Sequence, residues 1–254
     1  MTKPKPAVLI TGAARRIGAR LTRAFGDAGW HVVIHHGFSH DEAEALAAQL
    51  PSAEVVQCDL NDGDAAEAMV ADLAARLPDW RVLVNNAAVF HEDKADRISP
   101  EVFAEAVAVN LAAPVRMAQA FLRGAKSAHG RRVIQFTDMK VANPNPDFFS
   151  YTLAKNALSA SVRTLAMAQG NPEDRVYGLA PGAMMASHDQ REDEHELSGR
   201  MNLLGRLTDP DELADAALWL SEGWLASGET LFVDSGQHLL AQPRDVLYLA
   251  RGLT

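Results

Sequence analysis

The chain has 254 residues, 48% of them hydrophobic, and a formal net charge of −9. That is the composition of an ordinary globular protein with a sizeable core, and the acidic balance speaks against nucleic acid or an anionic membrane surface as the main partner. Cys58 is the single cysteine, so no internal disulfide can form; with no apolar leader in Met1–Pro6 and no run long enough to span a bilayer, the cytoplasm is the expected compartment.

Ala7-Val8-Leu9-Ile10-Thr11 is a short apolar run that stops at Gly12 and reads as a buried strand. Ile17, Leu21, Ala24 and Phe25 then recur at helical spacing as far as Gly29. A second strand follows at His31–His35, a helix at Asp41–Leu50, a third strand at Glu54–Cys58 and a helix at Asp62–Leu77. Cys58 ends the third strand as a small buried residue. Arg81–Asn85 is the fourth strand, and Ser99-Pro100 is a cap and first-turn pair opening a helix that Pro114 should kink or divide. Arg132–Thr137, Ser150–Gln169, Arg175–Ala180, Asp209–Leu220 and Thr230–Val233 complete the alternation. Strand and helix alternating at this pitch imply right-handed crossovers and an α/β fold: one doubly wound, parallel, seven-stranded sheet with helices on both faces, in a single domain. Residues 183–200 read as an irregular flap, and 237–254 as an apolar tail that packs on this chain or covers a neighbour's site. His188 and His195 in the flap stand among Asp and Glu residues; a solvated charged helix is expected rather than a metal site. Trp219 and Trp224 are expected to pack rather than to bind.

In such a sheet, ligands bind at the carboxyl ends of the strands. The first turn, Thr11-Gly12-Ala13-Ala14-Arg15-Arg16-Ile17-Gly18, has Gly12 for the tight bend and Gly18 for close helix packing, ahead of a helix N-terminus suited to a pyrophosphate. Arg16 replaces the middle glycine of a dinucleotide loop. No acid ends the second strand; Arg15, His35, His36 and Ser39 could instead surround a 2′-phosphate, which favours NADP(H) over NAD(H), unless the two histidines are plain strand-end residues. Asp59 could accept from an adenine amine or cap a helix. Tyr151 and Lys155 share a helical face, and an ammonium beside a phenol is expected to lower the phenol's pKa. Asp138 lies just past the fifth strand, as a partner for Tyr151 or a turn-stabilising residue.

In order and spacing, Thr11-Gly12…Gly18, Asp59-Leu60, Asn85-Asn86-Ala87-Ala88, Asn110, Tyr151…Lys155, Pro181-Gly182 and Val233-Asp234-Ser235-Gly236 resemble the short-chain dehydrogenase/reductase family over nearly the whole chain. The resemblance implies a Rossmann domain, a nicotinamide cofactor and a homodimer or homotetramer. It places Ile17, Leu60, Asn86, Ala87, Pro181 and Gly182, with Tyr151 and Lys155, around the cofactor, and gives Asn110 a catalytic part beside Lys155. Three features look like the pteridine and dihydromonapterin reductase branch: Asp138 where the family has a serine, Arg16 in the glycine loop, and Phe90 after Asn86-Ala87-Ala88-Val89. Arg16, Phe90, Asp138, Tyr151 and Met184 would then touch a flat pterin-like substrate. Phe90 also suits ordinary core packing. Two further readings stay open: a carbonyl or alcohol oxidoreductase for another cyclic substrate, and a non-catalytic dinucleotide-binding protein.

Overall fold

The computed structural model describes residues 4–187 and 190–253; His188 lies outside them. Among the described residues, seven strands form one sheet in the order β3-β2-β1-β4-β5-β6-β7. They are β1 (Ala7–Ile10), β2 (His31–His36), β3 (Ala53–Gln57), β4 (Trp80–Asn85), β5 (Arg132–Phe136), β6 (Arg175–Pro181) and β7 (Thr230–Val233). Every pairing is parallel; Val8, for example, lies between Val32 and Val82.

Side chains alternate across the strands and feed two apolar cores. Leu9, Val33, Leu83 and Val133 enter the core under α3 (Gly63–Arg76), α5 (Ala113–Gly124) and α6 (Phe149–Met167). Val8, Ile10, Val32, Val84 and Ile134 enter the other, under α1 (Arg16–Asp27), α2 (His40–Ala47) and α8 (Pro210–Ser221). Chain order reverses between β1 and β4, which opens a crevice at the carboxyl ends of the strands. Cys58 is buried just beyond β3.

The helices begin where their caps dictate. The Asp62 carboxylate accepts from the amides of Asp64 and Ala65 at 3.0 Å, and Ser99 Oγ accepts from Val102 at 3.4 Å at the start of α4 (Pro100–Val107). Asp209 accepts from the Asp211 amide at 2.9 Å while Glu212 accepts from the Asp209 amide at 3.2 Å. Asp62, not Asp59, is thus the cap of α3. Pro114 divides the long helix as expected: it cannot donate to the Asn110 carbonyl four residues back, and Ala108–Ala112 widens into a π turn.

Within 183–200, Glu192–Gly199 forms a regular helix, α7, pinned by Arg251 at 3.2 Å from Glu194. The tail carries the short helix α9 (Val246–Ala250) and packs on its own chain, where Gln242 Nε2 donates to the Met201 carbonyl at 2.9 Å. Trp219 and Trp224 do not enter a core; they are 39% and 70% exposed and meet edge to face.

Candidate active site

Two clefts open at the carboxyl ends of the strands. The first, of ≈ 340 Å³, is lined by the Gly12–Gly18 turn, His36, Ser39 and Asn86–Ala88. Gly12 has φ 61°, and a Cβ there would sit 3.0 Å from Ala87 Cα; a Cβ on Gly18 would fall 2.0 Å from the Gly12 carbonyl oxygen. Only glycine fits either place. Arg16 itself has φ 52°, the left-handed conformation in which a glycine would be free of strain. Thr11 Oγ1 accepts from the amides of Asn86 and Ala87, both at 3.0 Å, and Asn86 Nδ2 donates to the Thr11 carbonyl at 2.9 Å, which locks the β1 and β4 turns together.

An anionic dinucleotide fits this cleft. The first turn of α1 carries no acidic residue, its cap residue Arg15 makes no side-chain cap bond, and the glycine cradle leaves room for a phosphate. The His36 ring faces the cleft, buried, with no partner on Nδ1. Ser39 precedes α2 with its side chain uncommitted to the helix. Arg15 reaches Glu42 on the surface.

His35 has a different place from the one its neighbour holds. It is buried, accepts from the Gly12 amide on Nδ1 at 3.2 Å and meets the Cys58 carbonyl with Nε2 at 3.1 Å. Burial lowers its pKa to about 4, so the ring is neutral and Nε2 carries the hydrogen. It braces the glycine turn from behind and does not face a phosphate. Leu60 is buried in the α3–α5 core, and Asp59 is exposed and folds back onto the Asn61 amide at 2.9 Å.

The second cleft, of ≈ 620 Å³, adjoins the first, and Arg16, Ile17, Asn86 and Ala88 line both. Its wall holds Asp138, Tyr151, Lys155, Phe90, Met184 and the Pro181-Gly182 turn. Tyr151 Oη donates to Asp138 Oδ2 at 2.7 Å, while Asp138 Oδ1 accepts from the Lys140 amide at 2.8 Å. Strand β5 and helix α6 therefore do converge on this pair, and the turn-capping role coexists with it. Lys155 is buried, donates to the Phe136 carbonyl at 2.6 Å and lies 5.7 Å from the Tyr151 ring centroid.

The electrostatics reverse one expectation. Burial pushes the Tyr151 phenol well above its ordinary range, and the Asp138 carboxylate adds to that shift. Lys155, 5.7 Å from the ring centroid, does not offset this burial. Burial also lowers Lys155 to about 8, and raises Asp138 against the opposing pull of Lys140. Near neutral pH the phenol is held protonated, beside a carboxyl group that burial shifts upward from the ordinary carboxylate range.

Asn110 is fully buried and clamps one residue: Oδ1 accepts from the Val89 amide and Nδ2 donates to the Val89 carbonyl, both at 2.9 Å. That fixes the loop on which Phe90 rides. Phe90 stacks on Phe148 at 4.0 Å and meets Tyr151 edge to face at 4.7 Å. Gln237 Oε1 accepts from the Ala183 amide at 2.9 Å and would lie 2.6 Å from a Cβ on Gly182. Spacing alone misses Lys140 and Asp245, which also line the cleft. The Asp-x-Lys sequence at the end of β5 is a weak signal for the first; nothing local marks the second. His195 lies on α7, and among the described residues no three His, Cys, Asp or Glu side chains group to hold a metal ion.

Known proteins share this fold. The family model described as Enoyl-(Acyl carrier protein) reductase matches residues 12–238. The structure of FolM Alternative dihydrofolate reductase 1 from Brucella canis, complexed with NADP, is similar at 34% identity with a TM-score of 0.86, covering 94% of this chain and 96% of that one. The corresponding Brucella suis protein in complex with NADP gives 34% and 0.85 over 93% of this chain and 96% of its own. The D-xylose 1-dehydrogenase of Caulobacter vibrioides is 28% identical over 239 residues, 90% of this chain and 94% of the relative. From the glycine turn to the end of the sheet, sequence and architecture agree: the chain belongs to the short-chain dehydrogenase/reductase family of oxidoreductases.

Proposed function

We propose that this protein is an NADPH-dependent reductase of a pteridine, such as a dihydropterin, a dihydromonapterin or a related folate. The observation that carries the reading is the 2.7 Å hydrogen bond from Tyr151 to a carboxylate where the family has a serine hydroxyl. A hydroxyl donates to a ketone oxygen; a carboxylate only accepts. Asp138 therefore suits a substrate that presents N–H groups, as a 2-amino-4-oxopteridine does. The Brucella proteins, described as dihydrofolate reductases and complexed with NADP, support both halves of the reading.

Gly12, Gly18 and the α1 N-terminus would hold the pyrophosphate, and His36 and Ser39 the 2′-phosphate. When bound, the reduced dinucleotide supplies a hydride. Reduction of a C=N bond adds that hydride to carbon and a proton to nitrogen. Tyr151, protonated across the neutral range, gives the proton. Asp138 accepts from the substrate amine and shares the remaining charge. Lys155, lowered to about 8, restores the proton to the phenol. Phe90, backed by Phe148, offers a flat face to the ring. Arg16 and Met184 close the cleft around it. A single Rossmann domain assembling as a homodimer or homotetramer in the cytoplasm belongs to the same proposal.

The test is NADPH oxidation by the purified protein over a panel of dihydropterins and folates, with Asp138→Ser alongside. Turnover of at least one pterin is expected, with a loss on the order of 10²-fold in kcat/KM for Asp138→Ser. No NADPH oxidation with any pterin would refute the reading. Unchanged pterin turnover with a gain in ketone reduction by Asp138→Ser would favour a carbonyl reductase instead.

A further inference from the structure

A charged pair beside the proposed proton donor has no part in the chemistry above. Lys140 is 5% exposed, and its Nζ lies 2.6 Å from Asp245 Oδ2 and 3.5 Å from the Asp147 carbonyl. The ammonium also sits 5.0 Å from the Phe148 ring centroid and 5.8 Å from that of Phe90. Asp245 comes from the carboxy-terminal tail. It is held there because Asp147 takes Arg244 at 2.8 Å and the Asp245 amide at 2.8 Å. Asp147 stands two residues before α6, the helix that carries Tyr151. The tail is thereby hooked onto the root of the catalytic helix, and Lys140 and Asp245 both line the substrate cleft.

Burying such a pair gains little stability, since apolar side chains of similar volume commonly do as well. Its place gives it another use. The Lys140 amide holds one oxygen of Asp138 at 2.8 Å, and Tyr151 holds the other at 2.7 Å. We propose that Lys140 and Asp245 are positioning residues of the active site: a buried charge pair, half of it delivered by the tail, that governs how a proton is shared between Asp138 and Tyr151.

The charges facing these groups are few. Asp138 is faced by Lys140 from its own turn and by Tyr151 and Lys155 from α6. Tyr151 is faced by Asp138 and Asp245. Asp245 is faced by Lys140, Arg244, Tyr151 and Tyr248, and Lys140 is faced by Asp147 as well as Asp245 and Asp138. Lys140 is the strongest influence opposing the rise of Asp138, and Asp245 adds to the rise of Tyr151. Asp245, 2.6 Å from the Lys140 ammonium, acts on Asp138 only by offsetting that cation, so removing the cation should raise Asp138 and removing the anion should lower it. A merely structural pair would lose packing in both cases and show no such antisymmetry.

The experiment is a pH titration of the full chain labelled with ¹³C at the aspartate carboxyls, with the Asp138 resonance assigned by its loss in Asp138→Asn. Lys140→Met is expected to raise the Asp138 titration by about 1 pH unit, tenfold in proton affinity, and Asp245→Asn to lower it by a smaller amount, since it acts through Lys140. Lys140→Arg should stay near the parent. Shifts of the same sign, or no shift, in the Met and Asn variants would overturn the proposal. If Lys140→Met fails to fold, the near-isosteric Asp245→Asn decides alone: a downward shift supports the proposal, and any other result overturns it. The proposal rests on the pteridine reductase reading for its catalytic meaning, but the titration needs no substrate. Antisymmetric shifts without any pterin turnover would sink that reading and leave the pair standing.

Discussion

His35 gives the sharpest test of how the glycine turn is held. Its ring bridges the Gly12 amide at 3.2 Å and the Cys58 carbonyl at 3.1 Å, and only the neutral ring can do both, accepting at one nitrogen and donating at the other. Its pKa falls from the ordinary 6.5 to about 4 because burial penalises the charged form. The folded chain therefore binds fewer protons than the unfolded chain between those values, and stability must drop as pH falls below the unfolded value. From about pH 7.5 to about pH 5 the unfolded ring gains nearly its whole proton and the folded ring hardly any, a loss of ~2 kcal/mol attributable to this one residue. Denaturant unfolding at both pH values, for the parent and His35→Gln, isolates it, since carboxylate effects are shared. The variant should be less stable at neutral pH by ~1–3 kcal/mol, because Gly12 and Cys58 lose well-placed partners. Its further loss on acidification should be smaller than the parent's by ~2 kcal/mol. Equal acid losses would refute the bracing role and the neutral ring together.

Two further substitutions probe the same end of the sheet. Arg16→Gly relieves a residue at φ 52°, so the midpoint of thermal unfolding should rise, by ~1 kcal/mol in stability, while NADPH binding measured by fluorescence weakens, because Arg16 lines both clefts. Gly18→Ala places a methyl 2.0 Å from the Gly12 carbonyl oxygen; the turn must move, and calorimetry should show dinucleotide binding lost or weakened by on the order of 10²-fold in a chain that keeps its fold by circular dichroism.

Much of the architecture is legible because it depends on local pattern. An apolar run such as Val8–Ile10 must be covered on both faces, and a capped amphipathic helix after each strand supplies the cover. Gly12 and Gly18 declare themselves because a close backbone approach tolerates no side chain. The spacing of Asp138, Tyr151 and Lys155 shows which residues can meet when β5 leads into α6, and Tyr151 and Asp138 do meet.

The sequence by itself thus determined the alternation of elements, the glycine turn and which of Asp138, Tyr151 and Lys155 could come together in one cleft. Tertiary structure alone decided their states and partners. Lys155 stands one helical turn from Tyr151, yet the phenol rises, because burial by the whole fold and the Asp138 carboxylate set its state. His35 and His36 are adjacent in the chain, but one braces the turn while the other faces the cleft, since successive strand residues point to opposite faces. Asp245 reaches Lys140 only because the tail folds back onto Asp147. Local pattern reports which surfaces must be buried; the charge on a buried group depends on what else the chain brings to it, and that information is spread over the full length of the sequence.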